Sequence, residues 1–92
     1  MARILIPTPL RQYVGNQAAV EVNGGTVGEA LDDLVVQYDS MRKHLLDEAG
    51  KIRSFVNVYL NDEDIRRLDS LETRVDEEAV IAIVPAIAGG SG

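Results

Sequence analysis

One amphipathic stripe limits what this chain can build. Val27, Ala30, Leu31, Leu34, Val35 and Tyr38 recur at helical spacing, while Glu29, Asp32, Asp33 and Gln37 face away from them. A helix apolar on one side has to lie on something apolar, and the segments around it read as strands. Its start is marked twice. Asn23-Gly24-Gly25 breaks the preceding strand, and Thr26-Val27-Gly28-Glu29 has the capping-box form, in which a hydroxyl and a carboxylate satisfy free amides of the first turn.

Before the helix, Arg3 to Pro7 and Ala18 to Val22 read as two strands, joined by a long loop, Thr8 to Gln17, that carries Pro9, Gly15 and Asn16. After it, Ser40 to Leu46 reads as a short helical piece with Met41 and Leu45 one turn apart, and Asp47 to Lys51 turns through Gly50. Phe55 to Leu60 is the expected central strand, with Val56, Val58 and Leu60 toward the helix and Phe55, Asn57 and Tyr59 on the other face. Asn61 to Asp64 reads as a polar turn and Ile65-Arg66 as a brief edge strand, followed by an irregular connection anchored by Leu68, Leu71 and Val75. Asp76-Glu77-Glu78 then turns the chain into a last strand, Val80 to Val84. Strands without helical crossovers, plus one main helix, predict an α+β fold: a mixed sheet with the helix packed on one face.

With 92 residues the chain is one small domain with a thin core. It has no cysteine, which excludes disulfides, thiolate metal sites, iron–sulfur ligation and a cysteine nucleophile. A formal net charge of −6 argues against nucleic acid as a partner and favours basic protein surfaces, although a small domain of this kind is also simply acidic. No basic segment precedes an apolar run, and no stretch approaches the roughly 20 apolar residues that span a bilayer, so a cytoplasmic protein without membrane contact is expected.

Several local signals carry little chemistry. Asp62, Glu63 and Asp64 lack the glycine and distal glutamate of a calcium loop, and read as a solvated turn. His44, the lone histidine, has no nucleophile near it in sequence and reads as a surface or helix-end residue. Gly24 and Gly25 lack the Lys and Ser/Thr of a phosphate loop. No metal or cofactor site is expected.

The end of the chain is different. After Val84 come Pro85, Ala86, Ile87, Ala88, Gly89, Gly90, Ser91 and Gly92, with no charged side chain beyond Glu78. We divide the chain into a folded unit over 1–85 and a flexible tail over 86–92. Small uncharged residues suit threading into a narrow channel: Pro85 stiffens the exit, the tip glycines lack Cβ, and Ile87 alone is bulky enough for an apolar grip. Extended, Pro85 to Gly90 reaches about 20 Å.

Phe55-Val56-Asn57-Val58-Tyr59-Leu60-Asn61-Asp62-Glu63-Asp64-Ile65-Arg66, followed by Ile83-Val84-Pro85-Ala86-Ile87-Ala88-Gly89-Gly90, resembles the ThiS/MoaD group of sulfur carriers. The likeness includes the Ile6-Pro7-Thr8 start and the helix opening at Thr26, and within the group it is nearest the carrier used for cysteine biosynthesis. The resemblance implies a β-grasp, ubiquitin-like fold whose first and last strands form a parallel central pair. It also implies a non-enzymatic carrier that binds no cofactor. In the cycle that the resemblance implies, an E1-like adenylyltransferase uses Mg-ATP to convert the Gly90 carboxylate to an acyl-adenylate, a sulfur donor turns this into a thiocarboxylate, and a sulfur-accepting synthase receives it, a cysteine synthase being favoured over thiamine or molybdopterin assembly. Phe55 and Tyr59 stand as candidates for partner docking; the ordinary alternative is that they cover the sheet or a neighbouring loop.

One departure matters. Ser91-Gly92 follows Gly90 and locks its carbonyl in an amide, and activation at Gly92 would displace the reacting carboxyl by about 7 Å. Either a peptidase, by the resemblance a zinc metallopeptidase, cuts between Gly90 and Ser91, or Ser91-Gly92 is a linker remnant; the precursor reading is preferred. Two rival functions share the same adenylate chemistry: a ubiquitin-like modifier joined through Gly90 to lysines, and the small subunit of an enzyme of the molybdopterin-synthase kind.

Overall fold

The computed structural model describes residues 1–85. Its strands are β1 (Ala2–Leu5), β2 (Ala19–Val22), β3 (Val56–Leu60), β4 (Glu63–Asp64) and β5 (Val80–Pro85), and its α-helices are α1 (Val27–Gln37) and α2 (Arg42–Leu45). The sheet order is β2-β1-β5-β3-β4. β1 and β5 run parallel, with Ile4 beside Ile81, and every other pairing is antiparallel. The first and last strands therefore lie side by side, as the resemblance implied. The middle position belongs to β5 and not to the Phe55–Leu60 segment, because β3 has only the two-residue β4 on its outer side.

Helix α1 crosses one face of this sheet. Val27, Ala30, Leu31, Leu34 and Val35 are buried against Ile4, Val22, Val58, Ile81 and Ile83, which are buried too. Thr26 caps the helix, its Oγ1 accepting from the Glu29 amide at 3.1 Å, while Glu29 Oε1 accepts from the Gly25 amide at 2.7 Å. The polar side of the helix does more than meet solvent. Gln37 Nε2 donates to the Glu21 carbonyl at 3.1 Å, and Asp33 Oδ2 accepts the Asn23 amide at 2.9 Å, so helix side chains occupy backbone groups of the exposed edge strand β2.

Five further sequence expectations are corrected. The loop after β1 contains a 3-10 helix, Thr8–Val14, because Leu10 and Val14 are four apart and both turn into the core. The edge strand is Glu63–Asp64 and not Ile65-Arg66. Asn61 and Asp62 both take positive φ, 50° and 73°, and this tight turn sets Glu63 opposite Leu60 at once. Ile65 is then buried at the head of a 3-10 helix, Ile65–Arg67. Leu68 is exposed, so the connection is anchored by Leu71 and Val75 without it. Phe55 precedes β3 instead of belonging to it, and Pro85 is the last residue of β5 instead of following it.

The short helical piece divides into a 3-10 turn, Asp39–Met41, and α2, with Met41 and Leu45 buried as their spacing requires. The turn at Asp76 to Glu78 has no positive φ: Asp76 Oδ1 accepts the Glu78 amide at 2.9 Å and its carbonyl accepts the Ala79 amide at 3.2 Å. Among the described residues no helix is long and apolar enough to cross a membrane.

Candidate functional site

Pro85 lies directly opposite Val56 at the open end of the β5–β3 pair. The Asn61 amide donates to the Val80 carbonyl at 2.8 Å, and stepping two residues at a time from that pair puts Pro85 and Val56 where neither backbone points at the other. A residue without an N–H therefore costs the ladder nothing there. Of the residues singled out for the tail and its processing, Ala86, Ile87, Ala88, Gly89, Gly90 and Ser91 lie outside the described residues; Pro85 is placed as the last residue of β5.

The sheet face that α1 leaves uncovered begins at this same end. Ile4, Val58, Ile81 and Ile83 turn toward the helix, so Leu5, Tyr59, Ala82 and Val84 turn away. Register sets Leu5 beside Ala82, Ala82 opposite Tyr59, and Val84 opposite Asn57. Leu5 and Val84 are 41% and 45% exposed, Tyr59 is half-buried, and Phe55, 46% exposed, stands next to Val56 in the preceding turn. Phe55 and Tyr59 are thus on the part of the sheet that ends at Pro85, but the contiguous apolar surface runs through Leu5, Ala82 and Val84. The sequence reading missed Leu5 and Val84; strict alternation in both strands, carried through to its outward positions, is the signal that finds them.

A polar group borders this surface. Asp64 is paired with Tyr59 across β3 and β4, and its carboxylate takes Arg66 Nε at 3.1 Å and Nη2 at 2.7 Å. Arg66 Nη2 also donates to Asn57 Oδ1 at 3.1 Å. The Arg66 side chain, then the Arg66 amide at 2.9 Å, pull the Asp64 carboxyl down to about 2, and Asp64 raises the Arg66 guanidinium in turn.

On the helix side, beneath the start of β3, a groove of about 450 Å³ is floored by Ile52, Val56, Val58, Ile65 and Leu71. Beyond the sheet, His44 packs its ring on Tyr13 with centroids 4.3 Å apart. Its ring nitrogen Nε2 is buried and has no hydrogen-bond partner among the described residues.

The ThiS family model matches residues 4–90, nearly the whole chain and through the Gly-Gly pair. The chain belongs to the ThiS family. It is 39% identical over 89 residues to the sulfur carrier protein CysO of Mycobacterium tuberculosis, covering 95% of this chain and 96% of that protein. It is 32% identical over 65 residues to small archaeal modifier protein 3 of Haloferax volcanii, covering 71% and 70%. Among solved structures, the crystal structure of the Amycolatopsis orientalis BexX/CysO complex superposes with a TM-score of 0.89 at 39% identity, over 98% of this chain and 100% of that one. The ubiquitin-like β-grasp architecture follows from that superposition and from the sheet order above.

Proposed function

We propose that this ThiS-family chain is a protein-borne sulfur carrier, itself a substrate and not a catalyst, and that its sulfur goes to cysteine biosynthesis. The observation that carries the reading is that the family match runs to Gly90 and stops there, leaving Ser91-Gly92 outside it. The identity to CysO over nearly the full chain supports the assignment to cysteine biosynthesis.

In this reading a peptidase, of the zinc metallopeptidase class, hydrolyses the Gly90–Ser91 bond. The freed Gly90 carboxylate attacks the α-phosphorus of Mg-ATP on an E1-like adenylyltransferase, and pyrophosphate leaves. Hydrosulfide then adds to the acyl-adenylate carbonyl and AMP departs, giving a thiocarboxylate whose anionic sulfur is the nucleophile for the acceptor synthase. The scaffold's part is to deliver the acid at the end of a tail that starts from Pro85. The surface of Leu5, Tyr59, Ala82 and Val84, with Phe55 at its edge, gives the partners a patch to hold. That Amycolatopsis CysO is seen in complex with BexX supports a carrier that docks on other proteins.

Intact-mass measurement tests the reading: protein ending at Gly90 is incubated with ATP, an E1-like enzyme and sulfide. Exchange of one oxygen for sulfur at the C-terminus is expected, and unchanged mass with an active enzyme overturns it. The identity to an archaeal modifier protein favours one second reading, conjugation through Gly90 to lysines. A ladder of isopeptide-linked products in cell extract is its signature.

A further inference from the structure

Arg66 is exposed and yet fixed. Its side chain is 68% exposed, and a surface arginine normally keeps its rotamer freedom because an exposed ion pair repays little of the entropy of ordering it. Here three hydrogen bonds hold one guanidinium: Nε and Nη2 on the two oxygens of Asp64, and Nη2 again on Asn57 Oδ1. Asp64 is itself held, its side chain only 17% exposed and its Oδ1 engaged by the Arg66 amide. These bonds use Nε–H and both Nη2 hydrogens. Among the described residues, Nη1 has no acceptor, and it stands at the border of the uncovered sheet face, where Asn57 is register partner of Val84 and Asp64 of Tyr59.

We propose that Arg66 is the fixed polar contact of the docking face: its Nη1 receives a carboxylate side chain of the adenylating partner while Leu5, Tyr59, Ala82 and Val84 receive apolar atoms beside it. This rests on the carrier reading above. A carboxylate fits because the guanidinium has only donors to offer and gains most from an ionised acceptor. The apolar neighbours on its sheet side exclude water from that side once covered, which strengthens such a bond. Asp64 already neutralises the Arg66 charge, so the contact acts at hydrogen-bond range and sets orientation, with little long-range steering. Because Asn57 and Asp64 have ordered the side chain beforehand, the complex does not bear that entropy when it forms.

The test is steady-state pyrophosphate release by the E1-like adenylating enzyme of the same genome, with protein ending at Gly90 as the varied substrate. Arg66→Ala is expected to raise KM about tenfold with kcat within about twofold, as loss of one charged contact made equally before and during reaction. Arg66→Lys, which keeps charge and loses the fork, is expected to raise KM about fivefold. Arg67→Ala, at an exposed neighbour without side-chain bonds among the described residues, leaves KM unchanged. If Arg66→Ala lowers the thermal midpoint, Asn57→Ala decides: it leaves the Asp64 pair intact and is expected to raise KM about threefold by loosening the guanidinium. An unchanged KM in Arg66→Ala, or in a folded Asn57→Ala where the first is unfolded, overturns the proposal and leaves the carrier reading standing. A wild-type protein that releases no pyrophosphate with an active enzyme overturns both.

Discussion

The imidazole of His44 lies on the phenol ring of Tyr13, centroids 4.3 Å apart and planes tilted by 30°. Burial, then the positive charges of Lys43 and Arg53, lower its basicity below the ordinary value of 6.5. The unfolded chain therefore binds a proton at this site more readily than the fold does. Stability from His44 is present above pH 6.5 and is lost as pH falls from there toward the depressed folded value. Urea midpoints measured between pH 7.5 and pH 5.5 are expected to fall in the wild type and to stay flatter in His44→Phe. Equal slopes in the two proteins would sink the assignment to His44.

The entry to α1 depends on a single hydroxyl. Thr26 Oγ1 accepts the Glu29 amide, and the same stretch is tied to the far connection by the Val27 amide on the Thr73 carbonyl, 2.9 Å, and the Val75 amide on the Gly25 carbonyl, 3.0 Å. Thr26→Ala removes the cap and leaves the backbone ties, so a loss of about 1 kcal/mol is expected from denaturant unfolding, with Thr26→Ser close to wild type.

Gly24 is in contact with the helix start. A Cβ built there falls 2.7 Å from the Ala30 nitrogen and 2.9 Å from the Glu29 carbonyl carbon, at a φ of +155°. Both are backbone atoms and cannot step aside singly. Gly24→Ala is expected to cost about 2 kcal/mol, whereas Gly50→Ala, whose Cβ meets nothing within 4 Å, bears only the cost of its φ of +81°. Thermal unfolding of the two variants orders them.

Ile81 is fully buried in the middle strand, between β1 and β3. Ile81→Ala is expected to lose about 3–4 kcal/mol, a large share of the stability of so small a domain. Val36, 78% exposed on the outside of α1, is expected to change to Ser within about 0.5 kcal/mol. Chemical denaturation separates the two directly.

The uncovered sheet face gives a functional counterpart. Val84→Asp and Leu5→Asp place charge where a partner's apolar atoms are expected, at positions already half-exposed, so midpoints of unfolding should shift little. Adenylation of the form ending at Gly90 is expected to show KM raised about tenfold or more, with kcat retained. Normal KM in both variants would move the docking surface elsewhere.

Much of the architecture could be read in advance because local physics encodes it. The Thr26–Glu29 cap, the stripe from Val27 to Val35 and the alternation in β3 each depend on neighbours a few residues away, and each formed as read. Errors arose where a long-range partner decided. Leu10 and Val14 turned a loop into a 3-10 helix because core space awaited them. One error was local: the left-handed Asn61 and Asp62 close the turn tightly and bring the edge strand two residues earlier than expected. Gln37 and Asp33 look like solvent residues until β2 is placed beside the helix.

The sequence alone determined the strand–helix inventory, the uncharged Gly-Gly ending and the family, because these reside in composition, short-range spacing and motif. Tertiary structure decided which strand lies in the middle, that Leu5, Tyr59, Ala82 and Val84 share one uncovered face, and that Asp64 and Asn57 hold Arg66 at its border. Those relations join residues 77 positions apart, as Leu5 beside Ala82 and Arg3 beside Val80 show. Pairing over such distances follows from where the whole sheet closes, and no local pattern contains it.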